Sequence, residues 1–262
     1  MKIGILYICT GNYKIFWKDF YLSCEKYFIN DVEKHYFVFT DSPEIEFEHD
    51  NTRIHRINQP NLGWPGNTLR RYEMFLKIKE DLKNFDHLFF FNANLQFLVN
   101  ITVGDFLPSG SEKLVACLHP GYFDKKIANF TYEKNPKSLA CIPNGQGKYY
   151  FAGGINGGKS ADFIMAMETM DENIKKDVDN KITAVWHDES HWNWYLNNNL
   201  GIVKVLNSGY LYPENSNLPF VPKILVRDKE RLGGHSQLRN KIEPRLIINA
   251  LKKILKKLIL KK

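Results

Sequence analysis

At 262 residues, with 44% hydrophobic and 14% aromatic side chains, the chain can bury a substantial core and has the composition of a globular protein rather than a disordered or fibrous one. Cys9, Cys24, Cys117 and Cys141 are far apart, with neither a disulfide framework nor metal-ligand spacing, which points to a reducing, cytoplasmic compartment. The net charge of +7 belongs to one end: residues 241–262 carry eight basic side chains against Glu243, so residues 1–240 are formally neutral, which argues against nucleic acid as the partner.

Ile3 to Cys9 is an apolar run that stops at Thr10-Gly11 with no small-residue cleavage pattern behind it, so it reads as a first strand and not as a signal peptide. A helical pattern from about Lys14 to Tyr27 and a strand at Tyr36 to Phe39, closing on Thr40-Asp41-Ser42-Pro43, complete the opening of an α/β fold. Ile54 to Ile57 suits a third strand. Trp64-Pro65-Gly66 is a turn by composition, and Asn67 is placed to cap a helix carrying Leu69, Tyr72, Phe75, Leu76 and Leu82. Arg70 and Arg71 fall early in that helix, against the positive end of its dipole; either something anionic sits close or both are solvated.

His87 to Phe91 is apolar through its centre, like a strand buried on both faces, and ends in Asn92-Ala93-Asn94. Ligands in open α/β sheets sit beyond the carboxyl ends of strands, so this tripeptide is either part of a site or a plain turn. Leu114 to Leu118 is another strand, running into His119-Pro120-Gly121. Lys148 to Phe151 leads into Ala152-Gly153-Gly154-Ile155-Asn156-Gly157-Gly158, where backbone must bend tightly or approach something closely. Lys159-Ser160 follows without the glycine spacing of a nucleotide P-loop.

The densest chemistry lies in Ala184 to Asn193, where two carboxylates, two imidazoles and two indoles fall within seven residues at what reads as a helix start. Trp192, Tyr195 and Leu196 recur behind them at helical spacing as an anchoring face. Glu189 then lies in the first turn, where the helix dipole favours negative charge by a few tenths to about 1 kcal/mol, which predicts an ionised carboxylate suited to act as nucleophile or cation stabiliser. Asp188 as a cap and Glu189 as a partner of the dipole are also a sufficient structural account. His187 and His191, four apart, approximate a zinc-protease helix and with Glu214 would make a zinc hydrolase, but that motif has Glu in its second position.

Residues 1–236 read as one continuous domain and residues 237–262 as a tail. In the tail Ile247, Leu251, Ile254, Leu255 and Leu258 share one helical face and the lysine pairs the other, beginning after Pro244. Such an amphipathic basic helix suits a membrane surface rich in anionic lipid, where each lysine contributes about 1 kcal/mol. The alternatives are packing on the domain or on another subunit, or a disordered tail. No window approaches the roughly 18 unbroken apolar residues of a membrane span.

The runs Tyr36 to Pro43, Trp64 to Arg71, Phe91 to Asn94, Leu118 to Tyr122, Phe130-Thr131-Tyr132-Glu133, Tyr149 to Gly158 and Trp186 to His191 together resemble glycosyltransferase family 6, which contains the histo-blood-group A and B transferases and the α-1,3-galactosyltransferases. The likeness runs in order over roughly residues 3–235 and looks closest to the short bacterial members. It implies a GT-A fold, a single α/β domain with a central mixed sheet flanked by helices, to which the tail adds its C-terminal amphipathic basic helix. It also implies a nucleotide-sugar donor and retention of anomeric configuration. Animal members carry a membrane span and stem ahead of the catalytic domain, whereas this chain starts at the first strand. Attachment to the inner membrane face would then come from the tail, as fits an enzyme decorating a lipid-linked glycan in the cytoplasm.

Residue by residue, the resemblance makes Ile8, Thr10 and Tyr13 a uridine-binding wall, and Arg71 the arginine near donor sugar and phosphate. His119, Thr131 and Trp186 match acceptor positions. Glu189 matches the carboxylate proposed as nucleophile or oxocarbenium stabiliser, and Asp188 its neighbour that binds donor-sugar hydroxyls. Retention requires a group on the face opposite the leaving nucleotide, or a substitute for it. In animal members an Asp-x-Asp tripeptide holds a divalent metal; here Asn92-Ala93-Asn94 stands in its place, as in the metal-independent bacterial members, so no metal cofactor is implied. Neutral amides are weak ligands for hard cations. Arg71, Arg227 and Lys229 are the candidates to balance the departing diphosphate, and Lys229 matches the phosphate-contacting lysine of the bacterial branch.

Ala152-Gly153-Gly154 sets the donor in this family. Glycine at the position of Gly154 accompanies N-acetylgalactosamine-using, A-type enzymes, because a side chain would crowd the 2-acetamido group. The expectation is a metal-independent α-1,3-N-acetylgalactosaminyltransferase using UDP-N-acetylgalactosamine and a terminal galactose, fucosylated as in blood-group A-like antigens. UDP-galactose is the alternative donor, and a noncatalytic glycan-binding module a further class.

Overall fold

The structure is a computed structural model, and it describes residues 1–238. The strands β1 (Lys2–Ile8), β2 (Glu33–Thr40), β3 (Ile54–Asn58) and β4 (His87–Phe91) alternate with helices α1 (Trp17–Tyr27), α2 (Gly63–Leu69), α3 (Arg71–Leu76) and α4 (Lys79–Leu82). Then come β5 (Leu95–Phe97), α5 (Val103–Phe106), β6 (Leu114–Leu118), β7 (Phe151–Lys159), α6 (Ser160–Asp179), α7 (Asp188–Asn198), β8 (Val203–Leu206), β9 (Tyr212–Pro213), β10 (Ile224–Val226) and α8 (Gly234–Leu238). Seven strands form the central sheet in the order β3-β2-β1-β4-β7-β6-β8, and β5, β10 and β9 form a small second sheet.

β7 alone runs against its neighbours in the central sheet, pairing antiparallel with both β4 and β6. The sheet is therefore mixed, as expected. One edge gathers the carboxyl ends of β1, β4 and β6 together with the amino end of β7, which is where a ligand site forms in α/β sheets. Period-two alternation divides β1 between two cores. Ile3, Ile5 and Tyr7 face α1 through Trp17 and Phe20, while Leu6 faces Phe75, Met167 and Trp192 from α3, α6 and α7.

Three local expectations change. The pattern from Lys14 to Tyr27 divides into a 3-10 turn, Gly11–Phe16, followed by α1. Asn67 is not a cap: it lies inside α2, accepts from Leu62 N at 2.9 Å and donates to Thr10 Oγ1 at 3.0 Å. The helix predicted through Leu82 is broken at Arg70 and Ile78, which leave Arg70 at the surface beside Glu73 and turn Arg71 into the interior. Of the two readings of the glycine run, a tight bend or a close approach, strand β7 realises the second. A Cβ on Gly157 would overlap the Phe89 ring and the Leu88 carbonyl, and one on Gly158 the Lys113 carbonyl, so close approach is what these glycines serve.

All four cysteines are free thiols. The last described helix ends at Leu238, two residues past the expected domain boundary, and the basic helix expected in the tail lies, beyond that point, outside the described residues. No helix among the described residues is long and apolar enough to cross a membrane.

Candidate active site

The sheet edge opens into a cavity of about 270 Å³. The end of β1 contributes Ile8 and Thr10, the 3-10 turn Tyr13, the loop after β4 Asn92, Ala93 and Asn94, and the start of β7 Gly153 and Gly154. The turn after β4 is held by backbone and side-chain hydrogen bonds. Asn92 N donates to Gly154 O at 2.9 Å, Tyr7 OH to Ala93 O at 2.9 Å, and Asn94 Nδ2 to Arg227 O at 2.7 Å. The Asn92-Ala93-Asn94 turn is therefore a fixed wall, tied on one side to β7 and on the other to the segment after β10.

Asp188 and Glu189 enter from the first turn of α7. The preceding residue, His187, has φ 54° and ψ −125°, a conformation that costs a non-glycine residue roughly 1–3 kcal/mol and persists only when its surroundings enforce it. Here His187 N donates to Ala184 O at 2.9 Å, Glu189 N to Trp186 O at 3.0 Å, and Trp186 N to Ser190 Oγ at 3.0 Å. The strain aims the two acids at the cavity.

Glu189 accepts from Gly153 N at 2.7 Å and from Tyr150 OH at 3.1 Å. Burial nevertheless pushes its carboxyl up to about 7, the Gly153 N–H only partly offsetting it, and the neighbouring Asp188 adds to the rise. The dipole argument predicts ionisation; burial opposes it and leaves the carboxyl titrating near neutrality. Asp188 is likewise pushed up to about 6 by burial, opposed by Arg71.

Arg71 Nη1 lies 2.8 Å from Asp188 Oδ2, an ion pair without the alignment of a hydrogen bond, with both side chains almost wholly buried. The same nitrogen donates to Gly153 O at 2.8 Å and Asn156 Oδ1 at 3.2 Å, and the guanidinium carbon stands 4.0 Å from the centre of the Phe90 ring. Arg71 thus has the anionic partner that its position required, and its charge is engaged with Asp188. Lys229 lines the cavity with its ammonium 5.3 Å from the Tyr13 ring centre. Arg227 does not line it: Nη1 pairs with Asp19 Oδ2 at 2.6 Å, and Arg227 serves the site through the backbone that holds Asn94. Ala152 is packed in the core next to Gly153 rather than lining the cavity.

Of the positions expected on the acceptor side, His119 lines a second cavity, Trp186 lines the first, and Thr131 is hydrogen-bonded between them. Trp186, on the rim of the first, donates from Nε1 to Thr131 Oγ1 at 2.8 Å. Thr131 donates to Tyr150 OH at 3.3 Å and shares a 2.7 Å hydrogen bond with Tyr122 OH. His119 lines the second cavity with Tyr122 and Tyr150, and burial, then the nearby Lys125, push its imidazole down to about 4, so it is neutral. Tyr150 joins the two cavities through Glu189. Its role had no signal in the sequence beyond its place in the Tyr149 to Gly158 run. Trp64, Asn67 and Thr68 of α2 and Phe90 of β4 also line the first cavity unannounced.

The zinc reading is corrected by geometry. His187 packs edge-on to Trp64 with ring centres 5.2 Å apart, His191 is buried with Nε2 3.6 Å from Asp177 Oδ2, and Glu214 is bonded to Asp228 N and Arg231. These side chains do not converge, and among the described residues no group of three His, Cys, Asp or Glu is placed to hold a metal.

The profile of glycosyltransferase family 6 matches residues 1–239. The O-antigen biosynthesis glycosyltransferase WbnI of Escherichia coli is 35% identical over 239 residues, covering 91% of this chain and 100% of that protein. The histo-blood group ABO system transferase 1 of Rattus norvegicus is 30% identical over 200 residues, covering 74% of this chain and 56% of that protein. The globoside alpha-1,3-N-acetylgalactosaminyltransferase 1 of Mus musculus is 28% identical over 237 residues, covering 84% and 63%. This chain thus spans the full length of the bacterial relative and little more than half of the animal ones.

Proposed function

This chain belongs to glycosyltransferase family 6, a GT-A-type glycosyltransferase with a nucleotide-sugar donor and a glycan acceptor, and from that premise we propose that it transfers N-acetylgalactosamine from UDP-N-acetylgalactosamine in α-1,3 linkage to a terminal galactose, with retention and without a divalent metal. The galactose bears an α-1,2-linked fucose. The observation that carries the reading is the convergence of Ile8, Thr10, Asn92, Asn94, Asp188, Glu189 and Lys229 on one cavity from four stretches of the chain.

In the proposed reaction the bond from the anomeric carbon to the diphosphate oxygen breaks and UDP departs. The acceptor O3 bonds to the same face and its proton passes to the departing diphosphate. Glu189 serves the opposite face, as nucleophile or as ion-pair partner of the oxocarbenium ion. Asp188, steered by Arg71, binds donor-sugar hydroxyls. Lys229 balances the diphosphate. Metal independence is supported by the chemistry of the Asn92 and Asn94 amides, one of which already donates to Arg227 O. The donor choice is supported at Gly154, where an added Cβ would come within 3.2 Å of Leu211 Cδ2 and 3.7 Å of Asn92 Nδ2. Glycine keeps that space for the acetamido group.

A transfer screen over UDP-sugars with fucosylated galactosides tests the reading. UDP-N-acetylgalactosamine should lead, and EDTA should leave turnover intact. A clear preference for UDP-galactose would replace the donor, and loss in EDTA restored by a divalent cation would overturn metal independence. A glycan-binding module would bind the acceptor and show no affinity for UDP. We assign the enzyme to the cytoplasm, peripheral on the inner membrane face through the tail. Deleting residues 242–262 should then release it to the soluble fraction at constant turnover on a soluble acceptor; unchanged partitioning contradicts it.

A further inference from the structure

The second cavity, about 210 Å³, opens beyond Tyr150 on the side away from the donor. Its walls are the rings of Tyr122, Phe130, Tyr149 and Tyr150, a surface suited to the face of a sugar. Rings alone do not explain the charge around it. Lys125 Nζ stands 4.7 Å from the Tyr122 ring centre and Lys148 Nζ 5.1 Å from that of Tyr149, so both ammonium groups lie over rings that form the wall. Among the described residues no carboxylate lines this cavity and neither lysine forms an ion pair. The Lys125 charge reaches the interior, where it helps keep His119 neutral. Two cations therefore border an aromatic trough that, among the described residues, has no carboxylate in its lining.

Resting on the acceptor side of the proposed reaction, we propose that this cavity is a subsite for an anionic group on the acceptor, one sugar beyond the galactose, with the sugar lying along the aromatic wall and the anion between Lys125 and Lys148. A galactose held by Trp186 and Thr131 beside Glu189 has this trough as its exit, since Thr131 and Tyr150 bridge the two cavities. A carboxylate on a uronic acid and a phosphate ester through which the glycan is carried share the required chemistry.

Three matched galactosides, each bearing the α-1,2-linked fucose on its galactose, separate these cases: β-galactosyl-glucose, β-galactosyl-glucuronate and β-galactosyl-glucose 1-phosphate. Each is titrated calorimetrically into the full-length protein with UDP present, and each is assayed for transfer. At least one anionic galactoside should bind about fivefold more tightly than the neutral one, the scale of one or two partly exposed ion pairs. The advantage should shrink in about 0.5 M salt and vanish in the Lys125→Gln/Lys148→Gln protein. Both lysines are exposed, so a melting curve suffices to show that this variant is folded. The anion with the larger advantage identifies the source. Equal binding of all three galactosides, or a preference that survives the double variant, overturns the subsite. Tighter anionic binding without transfer from any UDP-sugar upholds the subsite and sinks the proposed reaction instead.

Discussion

The two cavities are built from opposite materials. The donor-side cavity is walled by polar groups at strand ends, where Asn92 and Gly154 are held where β4 meets β7, and its Arg71 and Asp188 charges are buried and paired. The acceptor-side cavity is walled by rings on the segments between β6 and β7, and its charges are exposed. Chemistry that must develop charge needs preorganised polar groups in a place that water does not reach. Recognition of a sugar face needs area and tolerates solvent. Substitutions on the donor side should therefore change turnover or stability, and substitutions on the acceptor side should change acceptor affinity.

The largest expected effect is at Glu189. Glu189→Gln should fold normally and lose transfer about a thousandfold, measured as UDP release. The same residue gives the contrast a pH dependence. Because the folded carboxyl is raised from 4.5 to about 7, ionisation costs the folded protein stability that is present below pH 4.5 and lost as pH rises to about 7, with Asp188 acting in the same direction. Acceptor kcat/KM should rise over that interval while the melting temperature falls. The Glu189→Gln protein should lose much of the stability slope, and an unchanged slope would mean that another group titrates.

Arg71→Ala tests whether the donor side is also a structural unit. It leaves Asp188 buried without its partner, which should cost about 3 kcal/mol in denaturant unfolding. A neutral result would mean that water enters the pair. Lys229→Ala should spare stability and lower kcat about a hundredfold, the scale for one lost charge-stabilising donor; a change confined to acceptor KM would move Lys229 off the diphosphate. Gly154→Ala should shift the donor ratio toward UDP-galactose about tenfold, a small steric discrimination. Smallest of all, Thr131→Val removes hydrogen bonds to Trp186, Tyr150 and Tyr122 and should raise acceptor KM a few-fold while UDP affinity holds. Weakened UDP binding there would erase the distinction between the cavities.

The same division decides what could be read in advance. β4 and β6 fall at the residues that their apolar runs mark, because a strand buried on both faces leaves an uninterrupted signal. The donor wall follows once strand ends are known. Helix α3 shows the limit: its periodicity runs on through Leu82, yet the chain breaks at Arg70 so that Arg71 reaches Asp188, a partner more than a hundred positions away. Arg227 and Lys229 look alike in a string of letters, and only the position of Asp19 separates their roles. Glu189 was legible as a residue but not in its protonation, since a helix start can be recognised locally whereas burial is a property of the whole cavity. The acceptor side was hardest, because Tyr150 and Thr131 acquire meaning only when the segments before β7 fold over the start of α7.

The measurement that bears most directly on the account compares wild type and Glu189→Gln with UDP-N-acetylgalactosamine and a fucosylated galactoside in EDTA, with melting curves of both proteins alongside. The account predicts an α-1,3-linked product from wild type, about a thousandfold less from the variant, and two intact folds. Comparable product from both proteins would contradict it.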